Sequence, residues 1–211
     1  MVRWFKPIVF IACLGPLARL GWKASMGLLG ANPIEVITHS TGDWTIRFLL
    51  VTLAITPLRK LTNQLWLIRY RRLFGLFAFF YATLHFLTYI WLDKFFAVHE
   101  MLADVAKRRF ITVGFTGFVL LIPLALTSTK GWIRRLGGKR WQALHRLIYL
   151  SAIAGVIHYW WLVKADISKP AQYAFILSLL LGYRIVQWIL QRTAQRKLRS
   201  QASSGAEVTQ E

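Results

Sequence analysis

The chain has 211 residues, 56% of them hydrophobic and 17% charged, against roughly 45–50% and about 25% in an ordinary soluble domain. Mean hydropathy is +0.45 and aromatics reach 15%, with ten tryptophans, which excludes a disordered chain and argues against a water-facing enzyme surface. A net charge of +19 would suggest a nucleic-acid partner in a soluble protein. Here the basic residues lie between apolar runs, so a membrane reading absorbs them and leaves nucleic acid outside the expected partners.

Six apolar runs predict an all-α, six-helix transmembrane bundle. The first, Ile8–Trp22, follows Arg3 and Lys6 and is read as a retained span. A signal peptide with a lipoprotein-like Phe10-Ile11-Ala12-Cys13 site is the lesser alternative, because the run stays apolar beyond Cys13 and no small-x-small site follows. The second run, Trp44–Leu58, is also short. These two carry Arg19 and Arg47, and each can lengthen by a turn into polar flanks. Leu73–Leu92, Phe110–Thr127, Leu144–Val163 and Tyr173–Leu190 meet the length of a span directly. The chain thus reads as a bundle over 1–190, followed by a basic, then Ser/Gly-rich cytoplasmic tail over 191–211 that is expected to be disordered.

Alternate hydrophilic segments differ in charge. The first, third, fifth and seventh hold 16 Lys and Arg; the intervening ones, taken as 25–43, 93–110 and 164–172, hold six. That bias predicts cytoplasmic N and C termini. The single cysteine, Cys13, leaves no internal disulfide, covalent haem attachment or multi-cysteine iron–sulfur cluster.

Chemistry is expected at the histidines. His99 reads as a solvated loop residue. His39, in Thr38-His39-Ser40-Thr41-Gly42-Asp43, reads first as part of a helix start and second as a pocket residue near the outer surface. His85, His145 and His158 lie in or at the mouth of spans, where an ionisable side chain is costly and faces the bundle interior with a partner. His85 and His158 both fall roughly 20–25 Å from the basic inner boundary, so they can face each other across two helices. Neutral imidazoles in an oily, aromatic pocket suit haem iron. His145 lies 13 residues before His158, about 20 Å along a helix, and cannot share that iron. Its azimuth, roughly 140° from His158 on an ideal helix, requires a bend, expected near Gly155.

Several stretches bear a family resemblance: Gly30-Ala31-Asn32-Pro33, His39-Ser40-Thr41-Gly42, Ile55-Thr56-Pro57-Leu58, Arg71-Arg72-Leu73-Phe74-Gly75-Leu76, Thr83-Leu84-His85, Leu126-Thr127-Ser128-Thr129, Trp141-Gln142-Ala143-Leu144-His145 and Ile157-His158-Tyr159. From Gly27 to about Arg184 the chain resembles the MsrQ (YedZ) family, haem-binding membrane subunits of bacterial periplasmic methionine-sulfoxide reductase systems, within the wider ferric-reductase-like transmembrane group. The resemblance implies a multi-pass inner-membrane electron-transfer subunit with haem b and FMN as cofactors, the catalytic subunit being separate. Electrons would come from the quinone pool or a cytoplasmic flavin reductase. They would leave to a periplasmic molybdenum-containing reductase that repairs oxidised methionines.

The resemblance places His85, His145 and His158 among the haem-associated, metal-binding histidines. Two-haem members of the wider group carry a further histidine about where Arg72 stands. Arginine is a poor iron ligand, so one bis-histidine haem is the expectation and a second at His145 stays open. Arg71 and Arg72 are candidates for haem propionates or a flavin phosphate, with positive-inside anchoring as the alternative. Arg19, Arg47 and Arg184 are candidates for a quinol, flavin or propionate site. Other readings left open are a small transporter or proton pathway, and a direct metal-ion reductase.

Overall fold

The computed structural model describes residues 5–163 and 165–208, with side chains through residue 196. Every regular element among them is helical. Helix α1 spans Phe5–Ser25 and α2 spans Pro33–Thr62. A short 3₁₀ turn at Leu65–Leu67 leads into α3, Ile68–Leu87, which continues as a wider π-helical segment over Thr88–Asp93. Then follow α4 (Val98–Lys107), α5 (Arg109–Leu126), two short basic helices α6 (Lys130–Leu136) and α7 (Gly138–Leu144), α8 (Leu147–Leu162) and α9 (Ser168–Val208).

Local chemistry explains several departures from expectation. Helix α2 starts eleven residues before Trp44 because Asn32 caps it. The Asn32 side chain accepts from the Glu35 amide at 3.3 Å and donates to the Glu35 carboxylate at 2.9 Å, with Pro33 preset at the first turn. The polar stretch around His39 is therefore helical, and the Thr41 and Thr45 hydroxyls bond back to the carbonyls of Ile37 and Thr41. His99 lies on α4, a helix where a loop was expected. The fifth span is broken at His145–Arg146, between α7 and α8, whereas α8 runs unbroken through the anticipated bend at Gly155. The tail expected to be disordered after Leu190 carries the continuation of α9, supported locally by Arg192 over the Trp188 ring at 4.1 Å. Residues 209–211 lie outside the description.

Among the described residues four helical stretches are long and apolar enough to cross a membrane: Phe5–Ser25, Leu65–Asp93, Arg109–Leu126 and Ser168–Arg196. The apolar α8 is shorter, and α2 carries Glu35, Asp43 and Arg47 along its length. Ile8 and Ile11 on α1, and Phe175 and Leu179 on α9, turn apolar surface outward, as lipid contact requires.

Two helix pairs organise the interior: α2 packs along α3, and α5 along α8. Leu49 and Leu53 of α2 are sealed against Ala78 and Tyr81 of α3 and Ala152 of α8. The Phe48 ring stacks with Phe77 and Tyr81 at 5.7 and 5.3 Å. Pro16 interrupts α1, and there the Tyr81 hydroxyl donates to the Cys13 carbonyl and accepts from the Leu17 amide. An undisturbed helix would join those two groups to each other. Between α5 and α8 the backbones come close at Gly117, whose carbonyl accepts from Ser151 at 2.8 Å.

Candidate functional site

A cavity of about 730 Å³ opens between the two helix pairs and beneath α4, within the range of about 300–1,000 Å³ usual for cofactor and ligand sites. His85 from α3 and His158 from α8 project into it from opposite sides, their ring centroids 6.1 Å apart and their planes at 74°. Two imidazoles bound through Nε2 to one iron at about 2.0–2.1 Å have centroids about 6.3 Å apart. The observed spacing fits that arrangement.

Each imidazole is held in the same way. His85 Nδ1 lies 3.0 Å from the Thr38 carbonyl, and His158 Nδ1 lies 2.7 Å from the Phe110 carbonyl. A carbonyl can only accept, so Nδ1 carries the proton in both rings and Nε2 keeps its lone pair, as a metal-ligating histidine requires. The carbonyls sit one turn before a glycine. In an α-helix the Thr38 carbonyl accepts from the Gly42 amide and the Phe110 carbonyl from the Gly114 amide. A Cβ on Gly42 would lie 3.1 Å from His85 Cε1; one on Gly114 would lie 2.6 Å from His158 Nδ1. Lacking Cβ, each glycine exposes the second lone pair of its carbonyl and gives the ring space to reach it. Helices α2 and α5 thus serve as cradles, and α3 and α8 supply the ligands.

The rest of the cavity separates by polarity. Its deep wall is apolar, with Ile46, Leu49, Phe118 and Leu121. Its outer end carries Glu35, His39, Asp43, Asp93 and Arg108. Asp43 is tied to Arg47 at 3.3 Å, and Arg47 Nε donates to the Tyr173 hydroxyl at 2.9 Å. An apolar slot of this size accepts a flat macrocycle; of the rim groups only Arg108 and His39 suit its carboxylates, since Glu35, Asp43 and Asp93 repel them. Among the described residues no group of three or more His, Cys, Asp or Glu side chains converges to hold a bare ion. Two imidazoles are too few ligands for such an ion, but they suit a porphyrin that supplies the other four donors.

His145 lies elsewhere, at the break between α7 and α8. Its ring stacks on Trp141 at 3.9 Å, Nδ1–H donates to the Trp141 carbonyl at 3.1 Å, and Nε2 is buried without a partner. Arg71 is half-buried within electrostatic reach of His145 and Arg184; Arg72 is exposed. Neither lines the cavity of His85 and His158. Arg184 donates to the Tyr149 hydroxyl at 2.7 Å and to the Leu53 carbonyl at 2.8 Å, joining α9 to α8 and α2. Arg47 belongs to the outer rim, as described. His39 lines the cavity rather than starting a helix.

Sequence reasoning missed Gly42, Gly114, the two carbonyls and the wall supplied by α4. A signal existed for the glycines. Each stands inside a helical run where no turn needs it, and each precedes its histidine by a nearly equal interval, Gly42 to His85 and Gly114 to His158.

A family model described as ferric reductase like transmembrane component matches residues 41–156. The chain is 57% identical over 192 residues to the "Protein-methionine-sulfoxide reductase heme-binding subunit MsrQ" of Herminiimonas arsenicoxydans, covering 90% of this chain and 88% of that protein. It is 53% identical over 188 residues to the protein of that name from Rhodospirillum rubrum, covering 89% and 90%. Against that of Bordetella pertussis the identity is 50% over 193 residues, covering 90% and 93%.

Proposed function

Since the chain belongs to the MsrQ family of heme-binding subunits, within the ferric-reductase-like transmembrane group, we propose that it holds one haem b between His85 and His158 and serves as a membrane electron-transfer subunit for a methionine-sulfoxide reductase. The observation that carries this reading is the pair of imidazoles, 6.1 Å between centroids, each with Nδ1 committed to a backbone carbonyl. When bound, the group supplies one-electron exchange between ferric and ferrous iron.

The protein's own part is positional. The Thr38 and Phe110 carbonyls fix the tautomer and ring direction. The apolar wall keeps water from the centre of the slot. At the charged rim, Arg108 and His39 would be the candidate partners of the haem propionates. The bias of Lys and Arg supports six crossings with both termini cytoplasmic in the bacterial inner membrane, α2 and α8 completing the set begun by the four longer apolar stretches. The His85–His158 pair then lies toward the periplasm, facing a molybdenum-containing partner that reduces oxidised methionines. The inner half faces the donor, the quinone pool or a cytoplasmic flavin reductase. An FMN phosphate finds its candidate partners at Arg71 and Arg72, near which no carboxylate lies within 4 Å among the described residues.

The test is spectroscopic. Purified wild-type protein shows a b-type band that sharpens on reduction, and His85→Ala and His158→Ala each lose most of it. Retention of the wild-type spectrum by both single variants rejects the ligand assignment.

A further inference from the structure

We propose that α4 is the outer wall of the haem slot and that Asp104 is the residue that positions it; the inference rests on the haem reading above. Helix α4 is strongly amphipathic, and its apolar residues Val98, Met101, Leu102 and Val105 line the cavity. Val98 and Leu102, both on that lining, are 59% and 67% exposed. A surface helix normally buries such a face against protein. Here the apolar face of a macrocycle clasped by His85 and His158 is the surface that would cover it.

Apolar contact alone does not fix so short a helix. The polar face of α4 supplies the anchor. The Asp104 carboxylate, 13% exposed, receives Lys94 Nζ at 2.7 Å, Arg108 Nε at 3.2 Å and the Tyr89 hydroxyl at 3.3 Å. These donors come from the elements that hold the imidazoles. Tyr89 lies four residues beyond His85 on the continuation of α3. Arg108 lies two residues before Phe110, whose carbonyl orients His158. One further tie runs from the Thr112 hydroxyl of α5 to the Val105 carbonyl. Asp104 therefore links the wall to both ligand supports. The Lys94–Asp104 bond, 14% and 13% exposed, is stronger than an exposed ion pair, whereas Arg108, 55% exposed, adds less.

The arrangement determines how readily the haem edge meets water and how readily haem leaves. Releasing the wall exposes one edge, speeds dissociation and lowers the midpoint potential, since water favours the more highly charged ferric form. The iron ligands themselves are untouched.

The experiment uses the full chain in detergent or nanodiscs, loaded with haem b, with haem loss to excess apomyoglobin followed by absorbance. Asp104→Asn is expected to raise the loss rate by roughly tenfold, the size of one charge-assisted bond, and to lower the midpoint potential with the bis-imidazole spectrum unchanged. Asp104→Glu recovers part of the wild-type rate. Lys94→Met and Asp104→Asn combine less than additively, as members of one contact do. Asp166→Asn, at a fully exposed loop carboxylate bonded to Ser168, leaves both readings at wild type. Tyr89→Phe removes a single donor and keeps the test decisive should Asp104→Asn fold poorly. Wild-type loss rates in Asp104→Asn and Tyr89→Phe, or equal acceleration by Asp166→Asn, overturn the proposal. A wild-type chain that takes up no haem overturns the haem reading and this inference with it.

Discussion

Gly114→Ala separates the demands of the helix from those of the site. In an ordinary helix the change is favourable by about 0.5–1 kcal/mol, because alanine loses less backbone entropy. At position 114 the new methyl would lie 2.6 Å from His158 Nδ1 and 2.9 Å from Cγ and Cε1. The obstacle is the root of a ring, which cannot swing aside as a flexible chain end can. The ring must move, which disrupts the 2.7 Å bond to the Phe110 carbonyl and pulls Nε2 out of line with His85. Overpacking costs about 1–3 kcal/mol and the lost hydrogen bond a further 1–3 kcal/mol or so. A conservative combination of about 2–4 kcal/mol corresponds to roughly 30- to 1,000-fold weaker haem retention. The assay is haem content after purification, together with titration of haem into the apoprotein and thermal unfolding of the apoprotein. Haem affinity falls; the apoprotein, which carries the same clash offset in part by the gain in helix propensity, keeps its midpoint or loses a few degrees. Gly42→Ala, with its nearest contact at 3.1 Å, shows the same effect to a smaller degree. Gly182→Ala on α9 meets nothing within 4 Å and leaves haem binding unchanged. Wild-type haem affinity in Gly114→Ala would refute the cradle.

Two further outcomes test the frame around the slot. Arg184→Ala removes the bonds to Tyr149 and Leu53 that join α9 to α8 and α2; it is expected to cost about 2 kcal/mol, lowering the thermal midpoint by about 4–8 °C with the haem spectrum retained. Arg184→Lys does not restore the midpoint, because one ammonium cannot reproduce the forked geometry, and an unchanged midpoint in Arg184→Ala contradicts the tie. The second outcome concerns pH. The hydrogen bond from Lys94 is the main reason the Asp104 carboxyl is held below the usual carboxylate range, with Arg108 and Tyr89 adding to it; the same bond raises Lys94. The Asp104 contribution is therefore complete above about pH 4 and is lost as pH falls through the depressed value, while that of Lys94 is lost only as pH rises beyond the ordinary lysine range. Hydrogen exchange across 98–107 is expected to show protection that is steady through neutrality and collapses in acid. In Asp104→Asn that acid limb is absent, and loss of wild-type protection between pH 7 and 6 would contradict the assignment.

Periodicity and the depth of each histidine were enough to anticipate a helical bundle in which His85 and His158 meet, because both features depend on rise per residue and little else. Azimuth was harder. The awkward angle between His145 and His158 calls for a bend, and by sequence Gly155 is the residue least suited to a helix. The chain instead breaks at His145–Arg146, where the short α7 ends and the Trp141 ring stacks on His145. Gly155 stays helical, with Ile46 of α2 the nearest side chain to its missing Cβ. Glycine in this bundle marks close approach more than flexibility, and that depends on which helix lies opposite, a tertiary fact that single-helix patterns do not carry. The same gap hid α4. Its ten residues are too few and too polar for a span, and its amphipathic face became meaningful only once the cavity beneath it was visible. The start of α2 was legible in principle, since Asn32-Pro33-Ile34-Glu35 is a capping signature. Hydropathy alone does not show it, because Glu35, His39 and Asp43 dilute the apolar signal.

On the proposed haem reading, the environment of His145 bears on how many haems one chain holds. His85 and His158 share three features: a bonded Nδ1, an Nε2 turned to open space, and an opposing imidazole at 6.1 Å. His145 has only the first. Its Nε2 is sealed, one face of its ring is covered by Trp141 at 3.9 Å, and the charged side chain within electrostatic reach is Arg71, whose guanidinium repels a metal cation and offers it no lone pair. A porphyrin there would have to displace Trp141 and find a second ligand. His145 instead closes the corner between α7 and α8 through the Trp141 carbonyl. The expected stoichiometry is one haem per chain. His145→Ala keeps that haem and its spectrum while lowering thermal stability, because the corner loses its stacked ring. Two haems per wild-type chain, with one lost in His145→Ala and the other in His85→Ala, would show that the inner half opens to a cofactor and that the sealed imidazole belongs to a second redox centre.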